Sequence, residues 1–357
     1  MNFWEKLKKD KVAKGRPIMA LAPMANVTDM AFRRIVAKYG KPDVMWTEFV
    51  SADGLMSSGR DIILRDLAYS SSERPIAAQL FTGHPDKMFQ AGKLVAELGF
   101  DGLDINMGCP DRAVEKQGGG AFMIKDKKNA LAVLESARRG VMEGKISNSK
   151  NSDNRQLSKE NIPISVKTRV GYNKNEIDEW IGFLLEQKLS ALTVHLRTRK
   201  EMSNVPAHWE LMLKIVSLRD KISPETLILG NGDISSIKEA EVKAKETGCD
   251  GIMIGRGIFG NPWFFSGRTF EIYQDGLKNS SQKSTSDISR NERLKVMVEH
   301  TKLFEKFLVD IKSFAIMKKH FKAYVSGWEG AKELRIKLME TKNAKEVDDV
   351  VKDYINI

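Results

Sequence analysis

Eight short apolar runs recur along the first 260 residues, at 17–22, 44–47, 75–80, 102–105, 163–166, 191–194, 227–229 and 251–254. Amphipathic stretches such as 29–39 and 86–98 lie between them. Each run has the length of a strand buried on both faces, which a parallel sheet covered by helices provides. Eight such strands alternating with helices predict a closed (β/α)8 TIM barrel, an α/β fold of roughly 250 residues. A polar, serine-rich stretch follows, and then a helical pattern in which Met297, Thr301, Phe304, Leu308 and Ile311 share one face and Gly327 stands as a helix stop. The expected organisation is a catalytic barrel over 1–276, a linker over 277–291 and a small C-terminal four-helix domain over 292–357. The Ser/Asn/Lys-rich stretch 146–161 reads as a flexible loop ahead of strand five, on the face opposite the strand exits.

In barrels of this kind the residues at and just past the C-terminal end of each strand share one mouth. Here the exits carry Met24, Glu48, Gln79, Asn106 with Cys109, Lys167 with Arg169, His195 with Arg197, Asn231 with Asp233, and Gly255 with Arg256. Any one of them alone reads as surface or as a satisfied core group. Unpaired polar groups are costly near a core, so a polar rim on nearly every strand points to a site. The last two exits, Gly230-Asn231-Gly232-Asp233 and Gly255-Arg256-Gly257, are glycine-rich. Backbone N–H groups there can approach an anion closely, which predicts a phosphorylated cofactor. The stretch 255–260 also matches G-x-G-x-x-G, but no further strand follows to complete a βαβ unit.

Formal charge is +11, from 58 basic and 47 acidic side chains, a balance that suits either a polyanion such as RNA or a solvated lysine-rich surface. Two cysteines in unlike contexts, Cys109 and Cys249, form neither a disulfide framework nor a metal-ligand spacing. No metal site is expected. The lysine-rich start and the lack of a long apolar segment predict a cytoplasmic protein away from membranes.

The motifs at these exits resemble the tRNA-dihydrouridine synthase family. They are Ala22-Pro23-Met24 with Thr28-Asp29, Ile105-Asn106-Met107-Gly108-Cys109-Pro110, Val166-Lys167-Thr168-Arg169, and Thr193-Val194-His195-Leu196-Arg197. Gly230-Asn231-Gly232-Asp233, Gly255-Arg256-Gly257 with Asn261-Pro262-Trp263, and Lys319-His320-Phe321 through Gly327 to Arg335 continue the series in family order. The resemblance implies an FMN-bearing barrel, NADPH as reductant, tRNA as substrate and partner, and reduction of a D-loop uridine to dihydrouridine by a monomer.

That chemistry needs a hydride at C6 of the uracil, which reduced flavin supplies from N5, and a proton at C5. A thiol of pKa near ~8.5 is still protonated at neutral pH, whereas a free carboxylic acid is not, so Cys109 is the expected donor. Cys249 reads as a small buried hydrophobe. Lys167 is expected at the N1–O2 edge of the flavin and Gln79 at its pyrimidine end. By resemblance, His195, Pro23 and Met24 join the cofactor set, and Asn231, Gly232, Asp233, Gly255 and Arg256 take the FMN phosphate. Asn106, Arg169 and Arg197 are then assigned to the uracil and its backbone. Gly118-Gly119-Gly120 reads as a hinge or a close approach of backbone to substrate, or as an ordinary helix cap.

The stretch 312–337 carries seven Lys/Arg against Glu329 and Glu333, beside Phe321, Tyr324 and Trp328. Lys318, Lys319, His320 and Arg335 are its expected RNA contacts, although Phe321 and Trp328 read better as core. Three other functions share these parts. They are a flavin barrel acting on a free pyrimidine, as a dihydroorotate dehydrogenase does, a Schiff-base aldolase built on Lys167, and an RNA-binding protein without chemistry.

Overall fold

The computed structural model describes residues 1–150, 162–270, 273–274, 277–278 and 287–355. Eight parallel strands make one sheet: β1 (Ile18–Leu21), β2 (Met45–Ser51), β3 (Ile76–Phe81), β4 (Gly102–Met107), β5 (Ile164–Arg169), β6 (Ala191–His195), β7 (Leu227–Asn231) and β8 (Gly251–Ile254). Neighbours follow chain order, β8 pairs with β1, and an Ala20–Val44 bridge closes the ring to β2. This is the (β/α)8 barrel expected from the apolar runs.

Helix α1 (Phe3–Lys14) begins with a capping box between Asn2 and Glu5 and ends at Gly15 in the left-handed region. Its Phe3 and Trp4 plug the strand-start end of the barrel, Trp4 lying 5.9 Å from the ring of Trp46. The outer layer includes α2 (Met30–Tyr39), α3 (Pro85–Glu97), α4 (Lys127–Lys150), α5 (Leu211–Ile222) and α6 (Ile237–Thr247). The first residues of the expected loop at 146–161 are helical instead, because α4 runs on to Lys150; 151–161 lie outside the described residues.

Four helices end the chain: α7 (Arg290–Leu308), α8 (Ile316–Tyr324), α9 (Ala331–Glu340) and α10 (Ala344–Ile355). Met297, Phe304, Met317, Phe321, Leu334 and Val347 form their core. The expected linker 277–291 is ordered at both ends. Leu277–Lys278 pairs antiparallel with Tyr273–Gln274, Ile288 bridges to Phe270, and Ser289 caps α7. Residues 279–286 lie outside the described set.

The helical unit rests on α2, whose Ala31 and Ile35 share its core. Ion pairs rim the contact. Lys312 donates to Glu48 at 2.5 Å and lies 2.9 Å from Asp66, Arg65 grips Asp310, and Glu299 accepts from both Lys38 and Tyr39. Within α2, the buried Arg33 donates to Glu73 at 2.7 Å and to the carbonyls of Thr28 and Ala68. That pair ties the loops after β1 and β2 together.

At the centre of this contact sit His300 and His320, fully buried, their rings 4.7 Å apart and each 5.4 Å from Phe32. None of their ring nitrogens has a hydrogen-bond partner among the described residues. His320, expected to face RNA, is therefore core: on α8 it points toward the barrel, while its neighbour Lys319 is exposed. Burial pushes His300 down to about 3 and His320 well below its ordinary value, so both are neutral in the fold. The unfolded chain takes up their protons below pH ~6.5, so stability from this pair is present above that pH and lost as pH falls toward the folded value. By about pH 5 the loss is ~2 kcal/mol per histidine. Asp29 and Asp104, both raised to about 6 chiefly by burial, act in the opposite sense, so the difference between variants is the test. Between about pH 7.5 and about pH 5, His300→Phe should lose less Tm than the wild type. Equal losses would refute a dry, neutral pair.

Candidate active site

Strand register assembles the site. Asn106 lies beside Lys167, Arg169 beside His195, and His195 beside Asn231, so four successive exits present polar side chains at one level. A cavity of about 630 Å³ opens there, within the range of a small-molecule or cofactor pocket. Pro23, Met24, Lys167, His195, Asn231, Gly232, Asp233, Gly255 and Arg256 line it, all expected around a cofactor. Ala22, Arg197, Ser203, Ile234, Ser235, Met253 and Gly257 complete the wall.

Lys167 is half-buried and makes no hydrogen bond or ion pair among the described residues. Burial first, and Arg169 second, lower its pKa to about 8. His195 is held neutral by burial and by the surrounding Arg169, Lys167, Arg197 and Arg256. Its Nε2 lies 3.0 Å from Nη1 of Arg197, which can only donate, so the ring proton is on Nδ1. The same guanidinium donates to the carbonyl of Val205 at 2.6 Å and to Asp233. Arg197 thus braces these loops from within the cavity wall. Asp233 also accepts from Arg256 at 2.6 Å and from the backbone of Ala207. Burial pushes this carboxyl up, but the bonds from Arg197 and Ala207 outweigh it and hold it below the usual range. Asn231 donates to the carbonyl of Met253 at 2.8 Å. Gly232, at φ 140°, has no room for a Cβ, which would meet the Ala207 methyl at 2.6 Å.

Three more expected contacts turn inward. Arg169 donates to the carbonyls of Gly108, Thr198 and Met202, at 2.8 to 2.9 Å, and is buried. Gln79 is fully buried and outside the cavity wall, with its amide spent between Asp104 at 2.6 Å and Asn106 at 3.0 Å. Asn106 in turn accepts from the backbone N–H of Gly108 at 3.1 Å and of Cys109 at 2.9 Å. Both amides are thus oriented by partners inside the barrel, and each keeps one further N–H. Both act on Cys109 through its turn.

The residue missed by the exit pattern is Asp104, buried inside β4 and accepting from Ser165 at 2.5 Å as well as from Gln79. A carboxylate can only accept, so Gln79 must present Nε2 to it and Oε1 to Asn106. Asn106 must then turn its oxygen toward the Cys109 turn. A charged residue between Leu103 and Ile105 in an otherwise apolar strand was the available signal.

Cys109 is half-buried and beside the cavity rather than in its wall, close enough to Lys167 for each to feel the other's charge. Burial raises its pKa above the ordinary thiol value, so it stays protonated at neutral pH. Gly120 backs the turn: at φ 59°, a Cβ there would meet the Cys109 carbonyl at 2.6 Å. Gly120 is thus a close approach to the thiol's own backbone, while Gly118 and Gly119 pack against Gly83 and Thr82. Lys318 and Arg335 are half-buried on the helical unit, and Arg335 donates to the carbonyl of Val325 at 2.7 Å.

Asp104→Leu removes the acceptor that orients both amides. It should cost about 1–3 kcal/mol and speed alkylation of Cys109 by iodoacetamide as the turn loosens. An unchanged alkylation rate would disconnect Asp104 from the thiol.

The chain is similar to known proteins over nearly its whole length. The family model described as Dihydrouridine synthase (Dus) matches residues 20–356. A Staphylococcus aureus (strain COL) protein named "Probable tRNA-dihydrouridine synthase" is 36% identical over 358 residues, 99% of this chain and 95% of its own. "Probable tRNA-dihydrouridine synthase 2" of Bacillus subtilis (strain 168) is 36% identical over 356 residues, with 99% and 96% covered.

Proposed function

The chain belongs to the dihydrouridine synthase family, and on that premise we propose that it reduces the C5=C6 bond of a uridine in the D loop of tRNA, with FMN as cofactor and NADPH as reductant. The observation that carries this reading is a cavity of about 630 Å³ whose wall holds an unpartnered lysine, beside a protonated thiol. A planar cofactor with a phosphate tail suits that donor set. Lys167 would be the cation at its pyrimidine edge, Pro23, Met24 and His195 would line the ring's space, and the glycine exits with Asn231 and Arg256 would take the phosphate, Asp233 orienting Arg256. Bound and reduced, the flavin supplies the hydride that uracil C6 receives.

Cys109 supplies the other hydrogen. Its S–H bond breaks as a C5–H bond forms, and the thiolate recovers a proton from solvent. The raised pKa keeps the thiol loaded, and the Asn106 bond to its backbone holds it in place. Lys167 would offset the negative charge that a reduced flavin supplies, and neutral His195 would add none. A uridine in folded tRNA must leave its stack to reach this depth, and the net charge of +11 suits the RNA that delivers it. Lys318, Lys319 and Arg335 are the helical unit's candidates for that contact.

Mass spectrometry of unmodified tRNA incubated with the protein and NADPH should show the mass gain of one H2 unit at a D-loop uridine. Cys109→Ala should nearly abolish it. No gain with the wild type, or full activity in the variant, would overturn the reading. Because Lys167 is charged below its lowered pKa and neutral above it, kcat/KM should fall as pH rises through about 8, and Lys167→Arg should carry activity to higher pH. A profile with the same falling limb in both proteins would remove Lys167 from that role.

A further inference from the structure

Three neighbouring strand exits build a second surface that the chemistry above does not use. The loop after β4 carries Phe122 and Lys125, the loop after β5 carries Tyr172, and the loop after β6 carries Arg199 and Lys200. Backbone bonds of 2.9 Å tie the last two loops together, from Arg199 to Gly171 and from Lys200 to Tyr172. The Lys125 ammonium lies 3.9 Å from the centre of the Tyr172 ring and 5.2 Å from that of Phe122, and the Arg199 guanidinium lies 5.4 Å from the Tyr172 centre.

Nearby acids are spent internally. Glu115 takes Arg199, Glu176 takes the backbone N–H of Tyr172, and Glu201 takes His208 and the backbone N–H of Thr198. Asp111 and Asp126 cap the turns they begin. Lys125, Lys174 and Lys200 are exposed and have no acidic partner among the described residues, and the Tyr172 hydroxyl has no hydrogen-bond partner there. Positive charge is left facing solvent at the rim of the mouth.

We propose that this rim is a phosphate ledge for RNA, on which Lys125, Tyr172 and Lys200 grip the backbone of the strand that delivers its nucleotide to the mouth, with Arg199, paired to Glu115, beside the Tyr172 ring. The idea rests on the tRNA reading above and adds a surface to it. Lysine, arginine and tyrosine are the groups that meet phosphate oxygens, and such contacts fix register without reading bases. A cation already seated on an aromatic face has less freedom to lose when it takes a phosphate. The ledge is also wired to the thiol, since Arg199 donates to the carbonyl of Pro110 at 3.4 Å, next to Cys109. On the other side of the ring, Lys312 fastens the helical unit to Glu48 in β2. In an eight-strand ring β2 stands opposite β6, so the ledge and the helical unit flank the mouth from two sides.

Fluorescence anisotropy of the full-length flavin-loaded protein with an unmodified tRNA transcript, titrated over salt, tests this. Replacing Lys125 and Lys200 together by Ala should weaken binding about tenfold at ~0.1 M salt and flatten the log–log salt slope by about one for each lost phosphate contact. The loss should be equal on two tRNAs of different D-arm sequence. Tyr172→Phe, which keeps the ring, should weaken binding about threefold. Lys9→Ala, on α1 at the far end of the barrel, is the charge control and should leave affinity within error. Unchanged affinity and slope in the double variant, with the wild type binding normally, would overturn the ledge and leave the tRNA reading standing. A wild type that shows no salt-dependent tRNA binding would overturn both. Melting temperature and flavin absorbance confirm that each variant is folded.

Discussion

The Asp104 carboxylate, buried in the middle of the barrel wall, decides which way two amides point. It accepts from Ser165 on β5 and Gln79 on β3, and Gln79 in turn fixes Asn106. The last group in this series is the pair of backbone N–H groups at Gly108 and Cys109. Arg169 takes the Gly108 carbonyl from the other side. The bonds that join Ser165, Asp104, Gln79 and Asn106 run between neighbouring strands, so parallel register is what makes the series possible. With its backbone held in this way, the turn leaves the sulfur of Cys109 as its chemically available group.

Electrostatics then sorts the cations of the mouth into two kinds. Arg169 and Arg197 are buried and bound to carbonyls, to His195 and to Asp233, so they brace the loops. Lys167 has no such partner among the described residues, and burial together with Arg169 lowers its pKa to about 8. Arg256 stands between, exposed but resting on Asp233. A site built this way is short of negative charge on its own account, which is the condition for taking up an anionic group.

The helical unit is fixed to the barrel by apolar contact on α2 and by ion pairs around it. The centre of that contact holds two histidines with no partner for any ring nitrogen among the described residues. It is held by packing and by keeping its imidazoles neutral, while the lysines of α8 stay available on its outer side.

Sequence determined the barrel, the four terminal helices and the exits that carry the chemistry, because those follow from local periodicity and from the fixed polarity of βα units. Nine of the ten residues expected around a cofactor share one cavity wall for that reason. What tertiary structure decided was which polar groups are already satisfied. Gln79, Asn106, Arg169, Arg197 and His320 all read as available in the chain, and all are bonded or buried in the fold. Their partners lie on other strands or loops: Asp104 lies 25 residues from Gln79, and the Gly108 carbonyl 61 from Arg169. A hydrogen bond between strands depends on register and side-chain direction together. Residue type and spacing along one chain carry only the donor or the acceptor, not the pairing.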